Sequence, residues 1–395
     1  MTPTLTLEQA SRRCWDVLIA GAGPAGAVTA YRLAVRGLSV LLLDKATFPR
    51  WKVCGCCLNG ATLDALQALG LGDVCRRAGA PRLRRMRLAV GSGAATLPLR
   101  TGVALSREAL DVALIQAAIE AGAAFLSGTE AVLLPGTGTL RSVRLRCGGI
   151  ESTTTAKLAV AADGLGGTFL RRVEGMEPRV AASSPIGAGA VFADAPEFYE
   201  PGTIYMACGR GAYVGAVRLE DGRLDMAAAI ERTRLRDSPG IGPLLRETLE
   251  ESRFPVPRGL AEADWRGTPP LTRSRSRVAG HRLFVVGDSA GYVEPFTGEG
   301  ISWAVQAAGF LVPHVLRALE GWDSNLATGW ETRYRRFFEK RSKVCLLAGR
   351  LLRYRPAARA AVALLGQAPW LAAPWMKQVS ILDPEWKWIA GGGAS

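Results

Sequence analysis

Three cysteines crowd the stretch KVCGCCLNG (52–60). Thiols so close together suit metal binding or redox chemistry. C-x-C-C is not C-x-x-C, and no histidine or second cysteine pair accompanies it, which argues against zinc. Arg50 and Lys52 beside the loop favour a thiolate. Cys56 and Cys57 are therefore candidates for redox work; the plainer alternative is a small-residue loop lying against a bound ligand. A second pattern is GAGPAG (21–26), a G-x-G-x-x-G turn. Gly21 permits the tight turn, Gly23 lets a pyrophosphate approach the backbone, and Gly26 lets helix and strand pack closely. Pro24 and Ala25 open the helix, whose free N–H groups and positive dipole suit phosphates.

These residues need a strand before them and a helix after them. Asp16 to Ala20 is a short apolar run that enters the glycines, and Pro24 to Arg36 carries helical spacing closed by Gly37. SVLLL (39–43) is a second buried strand ending at Asp44, placed for a ribose hydroxyl contact. Together they form a βαβ unit and predict a dinucleotide site. Two further segments belong with it. VAADGLGGTFLRR (160–172) holds Asp163-Gly164. In LFVVGDSAGYVEPFTGEGISWAVQ (283–306) a buried strand delivers Gly287-Asp288, and a loop with Pro295, Gly298 and Gly300 leads to a helix from about Ile301. An acid there accepts bonds from a sugar-alcohol chain, and the helix start stabilises negative charge on a reduced flavin.

Between these segments, SREALDVALIQAAIEAG (106–122) reads as a helix and 129–134, 140–147 and 156–162 as a β-meander. Residues 183–270 alternate strand-like runs with turns such as Glu220-Asp221-Gly222. The 395 residues, 48% hydrophobic and 21% charged, describe a globular chain. Eight cysteines in this length are no disulfide framework, and the polar opening MTPTLTLEQASRRC carries no signal pattern, so a reducing, cytoplasmic setting is expected. The net charge of +14 raises nucleic acid, anionic membrane or acidic ligands as partners. No nucleic-acid motif accompanies it, so no nucleic-acid partner is expected. Residues 331–360 hold ten Lys or Arg against two Glu, either a solvated helical face or a membrane contact. The charge-free stretch AAVALLGQAPWLAAPWM (360–376) is short for a span and interrupted by Pro369 and Pro374. With Trp370, Trp375, Trp386 and Trp388 it suits packing onto the body or resting at a bilayer surface.

Taken together, the glycine turn, Asp163-Gly164, Gly287-Asp288 and LSREALDVAL (105–114), which looks like an Arg-x-x-x-Asp helix start, resemble the FAD-dependent superfamily of para-hydroxybenzoate hydroxylase and geranylgeranyl reductase. The resemblance covers roughly 14–330. It implies an α/β fold, a glutathione-reductase-type FAD-binding Rossmann domain (1–80, 101–180 and 275–330). An interleaved antiparallel substrate sheet (81–100 and 181–274) and a helical C-terminal region (331–395) complete it. It implies FAD as cofactor and NAD(P)H as a transient reductant. The implied cofactor-binding residues are Gly21, Gly23, Pro24, Ala25, Gly26, Asp44, Lys45, Arg50, Cys54, Gly55, Cys56, Arg107, Asp163, Gly287, Asp288, Pro295, Gly298, Gly300 and Ile301. Asp163 is expected to be partly architectural, and Gly167 stands where the family usually has a serine.

Two reactions compete. One is oxygenation of a hydrophobic or aromatic molecule; the other is saturation of a carbon–carbon double bond in an isoprenoid or lipid, as in geranylgeranyl reductases. Lys52 to Gly55 resembles that branch's Lys-x-Cys-Gly loop. Its Tyr-x-Trp-x-Phe-Pro stretch is reduced to Tyr213 in GAYVGAVRLEDG (211–222). Oxygenation is the leading expectation. A halogenase, whose Trp-x-Trp-x-Ile-Pro stretch is absent, and a non-catalytic flavoprotein at a membrane surface rank lower. His281 and His314 are expected to be structural.

Overall fold

A computed structural model describes residues 1–294, 298–379 and 381–386. Pro295 and Trp388 lie outside the described residues. The strand Cys14–Ala20 forms because Val17, Leu18, Ile19 and Ala20 make an apolar run that a parallel sheet buries on both faces. It lies between Ile150–Ala161 and Val40–Leu43, parallel to both. Among the described residues, the sheet runs from Ala279–Gly280 through Leu283–Val285, Ile150–Ala161, Cys14–Ala20 and Val40–Leu43 to Ala124–Leu126. Glu130–Leu133 and Arg141–Cys147 extend it as an antiparallel meander off Ile150–Ala161. The helices Pro24–Ala34, Arg107–Glu120 and Gly300–Glu320 cover it.

A second sheet has the order Arg266–Pro270, Ile186–Phe192, Leu224–Ile230, Ala212–Arg218, Thr203–Cys208, Arg85–Val90, Gly93–Pro98. It is antiparallel except where Thr203–Cys208 runs parallel to Arg85–Val90. One face packs on the helix Ile241–Glu251 through Leu244, Leu245 and Leu249. The other face turns Met86, Leu88 and Met206 toward Ala358 and Val362 of the helix Arg355–Gln367. Burial on both faces explains why LDMAAAI shows no hydrophobic–polar alternation. The helix Ser324–Arg353 runs back along the first domain. Among the described residues no helix is long and apolar enough to cross a membrane.

Two polar ties join the Arg107–Glu120 helix to the second sheet. Ser106 caps the Arg107–Glu120 helix, its hydroxyl accepting from the Ala109 N–H at 3.0 Å. Glu220, in the turn between two strands of the second sheet, accepts from both the Ser106 hydroxyl (2.6 Å) and the Ser106 N–H (2.9 Å). Two residues into that helix, Glu108 takes a 2.9 Å bond from Arg223.

Candidate active site

The three glycines of the turn do separate jobs. A Cβ on Gly21 would sit 2.3 Å from the Ala162 carbonyl oxygen, and one on Gly26 would sit 1.8 Å from that of Gly21. Both positions are closed by backbone. Gly21 also holds a φ of +105°, which side-chain-bearing residues avoid. Around Gly23 the near neighbours are instead two guanidinium groups, Arg107 at 3.5 Å and Arg50 at 3.7 Å from the Cβ position. Gly23 is the N-cap of the Pro24–Ala34 helix, with no side chain capping it. Free helix N–H groups and two cations thus converge on one spot, which is what a pyrophosphate requires.

Those arginines are held from behind. Arg107 donates twice to Asp111, through Nε at 2.9 Å and Nη2 at 2.8 Å, and both residues are buried. Burial works against the Arg107 charge, but Asp111 more than offsets it and the pKa rises. Arg50 lies 3.3 Å from Asp111 and 3.7 Å from Asp44. Asp44 itself accepts from the Ala22 N–H and the Ala46 N–H, each at 2.9 Å, so it is fixed at the end of its strand. Lys45 donates to the Gly166 carbonyl at 3.1 Å and lines the same cavity. The sequence signal for Asp111 was present in the Arg-x-x-x-Asp spacing. Its pairing with Arg50, across two segments, was not.

Asp163 is architectural. Its carboxyl accepts from the Phe169 N–H at 2.8 Å and from the Ser289 hydroxyl at 2.8 Å, and Ser289 accepts from the Gly164 N–H at 2.6 Å. Asp163-Gly164 and Gly287-Asp288-Ser289 are therefore one knot. Burial raises the Asp163 pKa. A side chain at Gly167 would begin 2.2 Å from the Asp163 Oδ2, which explains the missing serine. Gly287 (φ +66°) crosses over Ala25, whose Cβ lies 2.9 Å from the position of a Gly287 Cβ. Asp288 lines the cavity; burial raises its pKa, against the pull of Lys52 and Arg107. Burial lowers the Lys52 pKa, helped by the nearby Arg107.

These groups border a cavity of about 470 Å³ that continues onto the second sheet. Gly23, Pro24, Ala25, Asp44, Lys45, Arg50, Cys54, Gly55, Cys56, Arg107, Asp163, Gly287, Asp288, Gly298, Gly300 and Ile301 all line it. Gly21 and Gly26 stand behind that lining as packing glycines. The helix Gly300–Glu320 starts at the cavity, as expected from sequence. Cys54, Cys56 and Cys57 form part of the wall, clamped by the pairing of Cys57–Asn59 with Gly102–Ala104 and by a 2.8 Å bond from the Leu105 N–H to the Cys56 carbonyl. Tyr213 lines the cavity from the second sheet, where burial, and then Glu294, pushes its pKa well up. Sequence reasoning missed Tyr292, Glu294, Met86, Ile204 and Met206 as lining residues; none carries a motif. His281 and His314 lie outside the cavity lining, each bonded to a backbone carbonyl, of Gly138 and Phe310 respectively.

A glycine cradle, a helix N-terminus with two arginines, and an acid closing the second strand define a flavin-dinucleotide oxidoreductase, and the residues present fit FAD. Residues 14–335 match the FAD binding domain family, and the chain belongs to that family. It is 29% identical over 357 residues to menaquinone reductase of Mycobacterium tuberculosis, covering 84% of this chain and 83% of that protein. It is 28% identical over 337 residues to digeranylgeranylglycerophospholipid reductase 2 of Methanothermobacter thermautotrophicus, covering 82% and 83%. Among solved structures, p-nitrophenol 4-monooxygenase from Pseudomonas putida superposes with a TM-score of 0.74 at 16% identity, covering 92% and 97%. A myxobacterial chondrochloren halogenase gives 0.73 at 20% identity, covering 97% and 98%. At such identities the structural matches establish the fold.

Proposed function

We propose that this FAD-dependent oxidoreductase saturates a carbon–carbon double bond of an isoprenoid or lipid-like substrate, with NAD(P)H as electron donor. The observation that carries the reading is the continuity of the cavity: a charged cofactor cradle opens directly onto a wall of Met86, Ile204, Met206, Ala227 and Ala228. The Lys52–Gly55 loop at the junction and the two reductase relatives point the same way. Bound and reduced, FAD supplies a hydride. Gly23, Arg50, Arg107 and Asp44 hold the nucleotide end; Asp288 and the start of the Gly300–Glu320 helix hold the flavin end. The apolar wall excludes water and orients a hydrocarbon chain. Tyr213, kept protonated by burial and by Glu294, carries a proton on its hydroxyl for the second carbon.

The test reduces the protein with dithionite under strict anaerobiosis and adds a prenylated quinone or a geranylgeranyl lipid. Product heavier by two hydrogens, formed without oxygen, is the expected result. Product that appears only when oxygen is admitted, and carries an oxygen atom, establishes the second reading, oxygenation. The loss of the Tyr-x-Trp-x-Phe-Pro stretch at 211–222 favours that alternative.

A lipid substrate fits a peripheral position on an anionic membrane facing a reducing compartment. All eight cysteines are free. Leu347 and Leu351 are exposed at i, i+4 near the end of the Ser324–Arg353 helix, Tyr354 is exposed at the break that follows, and Leu364 and Trp370 (71% exposed) lie on the next elements. Lys343, Arg359 and Lys377 are exposed among them. The inner side of the same region packs on the cavity wall through Ala358 and Val362. Flotation with phosphatidylglycerol vesicles is expected, with none on phosphatidylcholine alone; a Leu347→Glu/Trp370→Glu double variant that still floats rules this surface out.

A further inference from the structure

We propose that Cys54 and Cys56 are a reversible dithiol–disulfide couple in the cavity wall, a redox site additional to the flavin. The backbone is folded for it. Cys56 holds a φ of +50°, rare for a residue with a side chain, and Gly55 precedes it. The bend aims the Cys56 N–H at the Cys54 sulfur, 3.4 Å away. Cα atoms two residues apart are at most about 7.6 Å apart, so a bend at Gly55, the one residue between them, brings them inside the range a disulfide spans. Cys57 is turned away from the pair: its residue is paired into the strand opposite Ala104, and its Cβ lies 3.7 Å from the Gly298 Cβ position.

The two thiols are unequal in the way such couples need. The Cys56 thiol donates a hydrogen bond to the Cys54 sulfur, which brings the Cys54 pKa down to about 6, with Arg107 and Lys52 adding to the effect. The same bond, with burial, raises Cys56. Cys54 is thus the readier of the two to ionise and attack, and Cys56, only 2% exposed, holds its proton more tightly. Behind Cys56 stands Asp225. It is 1% exposed, and its carboxyl stands within hydrogen-bonding reach of the Cys56 thiol. Burial, and then the Cys54 charge, keeps this carboxyl neutral. A neutral carboxyl beside a thiol takes its proton at one oxygen while releasing another from the second.

The oxidant is a peroxide. The Cys54 thiolate attacks one peroxide oxygen; the O–O bond breaks, and with one added proton water leaves and a sulfenic acid remains. Cys56 sulfur then attacks Cys54 sulfur, the S–S bond forms, and the S–O bond breaks. The departing hydroxide leaves as water with the Cys56 proton, relayed by Asp225. Two thiols and one hydrogen peroxide become one disulfide and two waters. Two equivalents of a small thiol such as glutathione reverse the change by exchange. The couple needs no step at the flavin and stands whichever reaction the flavin performs.

The test treats FAD-loaded protein with one equivalent of hydrogen peroxide. Free thiols are blocked with light iodoacetamide, the protein is reduced, and newly released thiols are labelled with heavy iodoacetamide before peptide mapping. Heavy label is expected to rise at least about tenfold at Cys54 and Cys56 together, and at neither Cys57 nor Cys75. Glutathione added before blocking is expected to abolish the rise. Cys57→Ser is expected to leave it intact; Cys56→Ser is expected to replace it with a dimedone-reactive sulfenic acid on Cys54. Heavy label at Cys57 or Cys75, conversion of wild-type Cys54 to sulfinic acid, or no oxidation at any of these positions overturns the proposal. The wild-type map alone decides it if a variant fails to fold.

Discussion

On the Rossmann side of the cavity the charges around Gly23 have partners behind them: Arg107 and Arg50 share Asp111, and Asp44 is fixed by two backbone N–H groups. The second sheet opposite offers Met86, Ile204, Met206 and small residues such as Gly187, Gly215 and Ala227, with a buried acid, Asp225, behind it. A nucleotide has fixed chemistry, so its wall is a network with no slack. A hydrocarbon asks only for shape and dryness, so its wall is set by side-chain volume. The first kind of wall breaks when one atom is added; the second changes what it accepts.

The sharpest test of that difference is Gly26→Val. Its Cβ would meet the Gly21 carbonyl at 1.8 Å, and no side chain can move aside to relieve it. Complete loss of flavin absorbance after desalting is expected. Arg107→Leu is next. It strips the closest cation from a fully buried Asp111, leaving Arg50, and should cost about 3 kcal/mol in urea-unfolding stability.

On the other wall, Ala227→Phe should retain the flavin spectrum and raise KM at least about tenfold for a bulky substrate, because filling a pocket excludes ligand without touching the cradle. Asp225→Asn probes the buried acid. Its carboxyl pKa is raised in the folded state, so above the unfolded value the unfolded chain releases a proton that the folded one keeps. Wild-type stability should therefore fall, by up to about 1.4 kcal/mol per pH unit, as pH rises from 4 toward the folded pKa. The asparagine variant should lose that part of the slope, seen as a Tm advantage at pH 8 that vanishes at pH 4. The smallest effect is Tyr213→Phe, about tenfold in kcat with KM and flavin content unchanged. An equal effect on flavin retention would erase the distinction between the walls.

The cofactor wall was legible because its geometry is demanded by backbone. Only glycine fits at 21 and 26, and only a short apolar strand delivers Asp44 or Asp288 to a sheet end, so the constraint is written locally. The role of Gly167 needed the fold: its lost serine reflects the Asp163 carboxyl occupying that space. The substrate wall left little trace. Leu224–Ile230 is buried on both faces, so its pattern carries no inside or outside, and Asp225 looks like an ordinary acid until Cys56, far away in sequence, is seen beside it. Tyr292 and Glu294 are equally silent, since a lining role depends on which loop faces them.

The bonds from Ser106 to Glu220 make the start of the arginine helix and a turn of the second sheet a single mechanical piece. A guest that displaces this turn must tug Arg107 on the far side, and a nucleotide that tightens Arg107 must stiffen the turn. Each occupant that acts through this tie alters the other's affinity by the same factor, in addition to whatever passes between them where they meet.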